Sequence, residues 1–342
     1  MTYEDHETEL TPAENLAAWA RQYGERPTDE NRQALTQAIQ QWQAEDAPDV
    51  EVRPVTYWKD EPEPARVLWR DGANDPVLSE GETAVLAAPG GSGKSYLALA
   101  LALAAGGWNG GKACGLEVRR GPAVLIGYED APARVSHRLR LMTEGGNPGA
   151  KDPAAGIHLV DNPPPLMAGD PRRPGTCAPC DAWPKLWEAL ERVRPSLLVI
   201  DPVSVALAAN QNDAAQVRAF LSAVTTEAAE IGAGVLLVAH DTKAARNEAK
   251  AGGNPGAGAI AGSGQWHDGA RGVLYLHAAP GGRKVLECIK SNYGRSGWGA
   301  ALKETYCGQT FAGYALADRL DDEEAVKAAR EGADDDGQSG LT

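Results

Sequence analysis

The chain has 342 residues, 43% of them hydrophobic, with a formal net charge of −14, which suffices for one large α/β domain with appendages. Residues 1–64 carry 15 acidic and 5 basic side chains, residues 318–342 carry 9 and 3, and the stretch between holds 23 and 25; overall acidity therefore does not exclude contact between the middle of the chain and nucleic acid. No apolar run is long and charge-free enough to cross a bilayer, the start MTYEDHETEL is acidic, and the five cysteines follow no framework spacing, so no membrane association, reduced thiols and a cytoplasmic location are expected.

Residues 1–63 read as an N-terminal helical arm followed by a linker. Thr11-Pro12-Ala13-Glu14 is a capping box with Pro at the first helical position, and Leu16, Trp19, Ala20 and Tyr23 recur behind it at helical spacing. A second helix from about Thr28 to Ala44 places Leu35, Ala38, Ile39 and Trp42 on one face, to be covered by the core or by a neighbouring subunit. PDVEVRPVTYWKDEPEP is charged and Pro-rich, as linkers are.

From residue 64 to 317, short apolar runs alternate with helical segments, which predicts an α/β core with a mostly parallel twisted sheet covered by helices on both faces. Strands are expected at TAVLA (83–87), AVLIGY (123–128), GIHLV (156–160), SLLVI (196–200), GVLLVA (234–239), GVLYLH (272–277) and KVLECIK (284–290). Helices are expected after residue 95 and at about 131–142, 184–193 and 213–231. Residues 318–342 read as a short polar helix and an acidic, disordered tail.

Between the first strand and its helix stands APGGSGKS, residues 88–95. This is the phosphate-loop pattern G-x-x-x-x-G-K-[ST] with Ala88 in the place of the first Gly. Backbone amides at a helix N-terminus lack intrahelical partners and face the positive end of the helix dipole, so they cradle anions. Those amides belong to Gly91, Ser92, Gly93, Lys94 and Ser95, downstream of Ala88, so the departure costs little. Gly90, Gly91 and Gly93 are expected to supply positive φ and close approach, Lys94 a charge on the β- and γ-phosphates, and Ser95 a hydroxyl ligand for Mg²⁺. The expected cofactors are ATP and Mg²⁺.

Ligands of open α/β sheets lie beyond the carboxyl ends of the strands. SLLVIDP puts Asp201 there, fit to hold the Mg²⁺ shell or else to cap a turn. LIGYED ends at Glu129 and Asp130; a carboxylate beside the γ-phosphate can activate water, and with Asp130 free to cap the next helix, Glu129 is assigned as the base. VLLVAH ends at His240, placed to sense the γ-phosphate. The long Gly-rich segment behind it carries Lys243, Arg246 and Lys250, either a solvated loop or a DNA-binding one. Arg271 could be an arginine finger or an ordinary surface ion pair, and Lys290 and Arg295 flank a turn. Cys177 and Cys180 form C-A-P-C, half of a zinc pattern with no second half, and are read as loop residues.

Taken together, APGGSGKSYLALALA, LIGYEDAPARVSHRLR, LLVIDPVS, VLLVAHDTK, the D-x-x-R of Asp268 to Arg271 and IKSNYG resemble the RecA-like P-loop ATPase core of hexameric replicative helicases, most closely the plasmid RepA type, over residues 64–300. The resemblance implies an ATP-hydrolysing motor on single-stranded DNA, assembled as a ring homo-oligomer, a hexamer in that family. It further implies Glu129 as the catalytic base, His240 as the sensor and Arg271 as a finger reaching the next subunit. A replication or repair protein is a further expected partner, through the acidic ends. The alternatives are a RecA- or RadA-like recombination or repair ATPase and a nucleotide-dependent partner-loading switch; a small-molecule kinase is disfavoured because residues 252–264 make a poor lid.

Overall fold

A computed structural model describes residues 63–331 except 74, 145–152 and 251–255, together with Arg21, Gln33 and Thr36. The chain divides into two compact units, Met1–Glu63 and Pro64–Thr342. Arg21, Gln33 and Thr36 are helical; the rest of the expected arm and linker lies outside the described residues.

The second unit begins with strands β1 (Arg66–Arg70), β2 (Pro76–Ser79) and β3 (Glu82–Ala88), then helix α1 (Lys94–Ala105), short strands β4 (Lys112–Ala113) and β5 (Leu116–Val118), and β6 (Ala123–Gly127). Next come α2 (Pro132–Thr143), β7 (Ile157–Asp161), β8 (Met167–Gly169), β9 (Cys177–Pro179), α3 (Trp183–Val193), β10 (Leu197–Asp201), α4 (Val203–Ala206), β11 (Leu207–Ala208) and α5 (Ala214–Ile231). The chain then forms β12 (Gly234–His240), α6 (Lys243–Lys250), α7 (Gln265–Gly269), β13 (Gly272–Ala278), β14 (Lys284–Ser291), β15 (Trp298–Cys307), β16 (Thr310–Leu320) and α8 (Glu323–Glu331).

The main sheet has nine strands in the order β16-β15-β14-β13-β3-β12-β10-β6-β7. From β13 to β7 every neighbouring pair is parallel, and from β13 to β16 every pair is antiparallel. The sheet is therefore mixed, its parallel part built from the expected runs. The apolar runs are continuous because both faces are covered. In β3, Ala84, Leu86 and Ala88 face a core shared with α1 and α2, whereas Val85 and Ala87 face one formed with α3, α5 and α7. Helix α1 is buried from Leu97 to Ala105, which is why KSYLALALALAA carries no polar face.

Three expectations need correction. β15 and β16, not foreseen, add a long hairpin to the sheet, and the boundary expected at residue 317 falls inside β16. The short helix expected in residues 318–342 is present as α8, residues 323–331, and its fully buried Val326 packs with Val285, Ala301 and Leu320; residues 332–342 lie outside the described set. The segment behind His240 is helical over Lys243–Lys250 and returns through an Asp241–Ile260 bridge instead of forming one long loop. No described helix is long and apolar enough to cross a membrane.

Candidate nucleotide site

The loop of residues 89–93 leaves β3 at its carboxyl end and turns directly into α1. Two residues carry the turn: Gly91 (φ 72°) and Gly93 (φ 88°, the N-cap of α1). Gly90, expected to share that role, does not adopt positive φ, so its contribution is the missing side chain. A Cβ built on Gly90 or Gly91 would meet nothing within 4 Å, so the mouth of the cradle is open. A Cβ on Gly93 would overlap the ring of Tyr314. The Tyr314 hydroxyl donates to the carbonyl oxygen of Ser92 at 2.5 Å, pinning the loop from a strand that lies more than two hundred residues later in the sequence. Tyr314 belongs to an aromatic cluster with Phe311, Tyr96 and Tyr306, in which Tyr96 and Phe311 meet edge-on at 4.7 Å.

Strand register brings the polar strand ends to this loop. β12 lies between β3 and β10, and His240 is paired with Ala88. Lys94 Nζ lies 3.2 Å from His240 Nδ1. Burial pushes the Lys94 ammonium below the usual lysine range, an effect opposed by the carboxylates of Asp201, Glu129 and Asp241 in that order. Asp201, at the end of β10, shifts the other way: burial raises its carboxyl, while a hydrogen bond with Ser95 and the charge of Lys94 pull it down. Ser95, Glu129 and Asp201 line one small cavity. Hydroxyl and carboxylate oxygens are the ligands Mg²⁺ takes, so the residues present fit that ion, with Ser95 and Asp201 as its holders.

Glu129 is exposed and makes no hydrogen bond or ion pair among the described residues. Its neighbour Asp130 does not cap the following helix. The N-cap of α2 is Ala131, without a side-chain cap, and Asp130 is instead gripped by both nitrogens of the Arg138 guanidinium, one at 3.1 Å, with Arg134 at 3.6 Å. Arg138 also lies over the Tyr96 ring at 4.8 Å. The outcome expected for Glu129, a carboxylate left free for chemistry, follows from an arginine clamp and not from capping.

The model of a family described as an AAA domain matches residues 44–246, a span that includes the phosphate loop, Glu129, Asp201 and His240. The chain belongs to that AAA domain family. It is accordingly a P-loop ATPase, and nucleotide binding belongs to the class. No curated protein matches the chain.

Elsewhere the chain departs from expectation. Arg246 is not a free surface cation: its guanidinium Nε is 3.2 Å from Asp241, a buried carboxylate that also accepts from the Tyr275 hydroxyl at 3.0 Å. Lys243 is exposed, and the Lys250 side chain lies outside the described set. Lys290 is structural, donating to the carbonyl oxygens of His267, Asp268 and Ala270 at 2.8, 2.9 and 2.8 Å. Arg295 joins the turn by its backbone, whose N–H donates to Asp75 at 3.4 Å. Arg271 is exposed, pairs with no carboxylate among the described residues, and lies at the end of the sheet opposite the phosphate loop, its N–H donating to the Thr83 carbonyl at 2.8 Å. The surface ion pair considered for it is therefore not what holds it. Cys177, expected in a loop, begins β9 and Cys180 follows that strand directly, both with free thiols, and no group of three His, Cys, Asp or Glu side chains that could hold a metal occurs among the described residues.

Tyr314, Arg138 and Asp241 are functional neighbours that sequence reasoning does not single out. Only Arg138 carries a local signal, its place two turns beyond Asp130 in a helix.

Proposed function

We propose that this P-loop ATPase is a ring-forming motor on single-stranded DNA with a RecA-like core, a replicative helicase of the RepA type from a plasmid or phage. The observation that carries the reading is the position of Arg271. An exposed guanidinium with no carboxylate partner among the described residues sits at the far end of the strands from its own phosphate loop, which keeps it out of its own nucleotide site and supports a role toward a site on another copy, as an arginine finger supplied in trans has. Around the loop, Lys94 and the amides of residues 91–95 hold phosphates, Ser95 and Asp201 hold Mg²⁺, which neutralises phosphate charge when bound, and Glu129 takes the proton of the attacking water. His240, hydrogen bonded to Lys94, reports the terminal phosphate to the segment that follows it, where Lys243 meets the DNA backbone. The acidic ends are the surfaces for a replication or repair protein.

The test is turnover with and without single-stranded DNA, with assembly mass measured with and without ATP and strand separation measured on a forked duplex. DNA-stimulated turnover by a closed ring that separates strands is expected. DNA-independent turnover by a monomer overturns the reading, and filaments without unwinding transfer it to the recombination class.

A further inference from the structure

At the end of the sheet opposite the phosphate loop, α5, α7 and the start of β13 enclose an open cleft of about 560 Å³. Arg271 lines it. So do Arg218, Ser222, Thr225 and Thr226 of α5, with Gln265 across from them. Arg218 is held in place by a neutral group: its Nε and one terminal nitrogen donate to the single amide oxygen of Gln265 at 3.2 and 3.0 Å. A guanidinium has five N–H donors and keeps its full charge at any pH of interest, so three donors remain for a ligand. Ser222, Thr225 and Thr226 stand three and four residues apart, on one face of the helix. The one carboxylate of the lining among the described residues, Asp268, is hydrogen bonded to His267 at 3.0 Å. Two arginines and a row of hydroxyls against one engaged carboxylate make a site for a phosphate group.

That phosphate cannot be the one on the chain's own loop. Five residues of β3 separate Thr83, beside Arg271, from Ala88, roughly 16 Å at the rise of a strand. Among the residues lining the cavity of Ser95, Glu129 and Asp201, three carry carboxylates and one is basic. Arg138, the one basic residue lining the cavity of Ser95, Glu129 and Asp201, is engaged by Asp130. An acidic cavity whose one basic lining residue is engaged, at one end of the sheet, and a cleft with two unneutralised arginines, at the other, are complementary halves. Head-to-tail contacts of this kind repeat from copy to copy and close into a ring when the rotation permits.

We propose that Arg218 is a second cation presented to the neighbouring copy, and that it and Arg271 together receive the terminal phosphate of the nucleotide on that copy's phosphate loop. This rests on the ring reading above and adds a residue to it. Gln265 orients Arg218, and Lys290, through the carbonyls of residues 267, 268 and 270, fixes the backbone that presents Arg271.

The experiment compares Arg218→Ala, Arg218→Lys, Gln265→Leu and Arg271→Ala, each alone and mixed with Lys94→Ala, reading ATP affinity, DNA-free turnover, single-strand binding, assembly mass and melting temperature. Arg218→Ala should bind ATP and assemble as the parent does, with kcat down by about a hundredfold, the loss typical of one transition-state donor, and KM little changed. Mixing with Lys94→Ala, which keeps both arginines, should restore part of the turnover. Arg218→Lys should retain more activity than Arg218→Ala, and Gln265→Leu should lose the least. If Arg271→Ala is slow and rescued by mixing while Arg218→Ala turns over normally, the proposal fails and the ring reading stands. If Arg271→Ala forms mixed assemblies that are not rescued, the ring reading fails and the proposal with it. DNA-free turnover that stays normal in Arg218→Ala while single-strand binding is lost makes the cleft a nucleic-acid site and overturns the proposal. Should Arg218→Ala not assemble, Arg218→Lys decides: assembled and slow supports a need for the guanidinium, assembled and fully active refutes it.

Discussion

Lys94 Nζ and His240 Nδ1 are 3.2 Å apart, although 146 residues separate them in the chain. The ammonium has only protons to give, so Nδ1 is the acceptor in this contact. An oxygen held by Lys94 therefore arrives beside the imidazole, as the sensing role proposed for His240 requires. His240→Ala should keep ATP affinity within a fewfold of the parent, lower turnover, and lose most of its stimulation by single-stranded DNA. Equilibrium nucleotide binding and DNA titration of the ATPase check this; full retention of stimulation would remove His240 from the relay.

Lys94 and Glu129 should fail differently. Lys94→Ala removes a buried charge that meets phosphate and is expected to abolish ATP binding. Glu129→Gln removes a carboxylate with no hydrogen-bonding duty among the described residues, so binding should persist while turnover falls by about 10²–10⁴-fold, the range for loss of a general base. Nucleotide binding by calorimetry and single-turnover hydrolysis separate the two, and equal loss of binding would make Glu129 structural.

Asp201 links catalysis to stability with a definite sign. Burial raises its carboxyl above the ordinary 3.8, so the ionised form is disfavoured in the folded chain. Its effect on stability is most favourable below the unfolded value and is lost as pH rises through the folded one. At neutral pH without nucleotide, Asp201→Asn should therefore melt at or above the parent temperature, with the advantage shrinking as pH falls toward the ordinary carboxylate range, while hydrolysis is lost. Thermal melts from neutral pH down to about pH 4, where carboxylates titrate, test it; a lower melting temperature at neutral pH would show that Ser95 and Lys94 outweigh the burial.

Two cations behind His240 should part company. Exposed Lys243, on changing to Ala, should weaken single-strand binding and reduce its salt slope by about one unit or less, since one phosphate contact releases about 0.7 counterion on a single strand. Arg246→Ala should act on folding, because it leaves the buried Asp241 carboxylate without its ion-pair partner, a loss of about 3–5 kcal/mol in comparable buried pairs, discounted because the Arg246 side chain is 42% exposed. Salt-dependent binding isotherms and denaturant melts distinguish them. Unchanged affinity and salt slope in Lys243→Ala would return the segment to a plain surface role.

What is written locally in this chain is legible in its amino-acid order alone. Short apolar runs such as SLLVI and GVLLVA, rich in β-branched residues and bounded by turn residues, read as strands buried on both faces, and a Gly-rich turn followed by Lys-Ser and a helix has few uses besides holding phosphate, so the parallel part of the sheet and the loop of residues 88–95 follow from local sterics and hydrogen bonding. The strand-end residues Glu129, Asp201 and His240 can be found because a strand's last residue and its carboxyl end are the same place. Which side chain answers which is a matter of register and topology. Tyr314 reaches Ser92 across 222 residues, Arg246 neutralises Asp241 instead of facing solvent, Asp130 goes to Arg138 and so leaves Glu129 free, and Lys290 ties down three carbonyls ahead of Arg271. Those pairings depend on distances that exist only after the strands align. Arg271 shows the division most plainly: its charge is in the sequence, but the parallel pairing of β13 with β3 decides that it stands at the end of the sheet away from its own nucleotide loop.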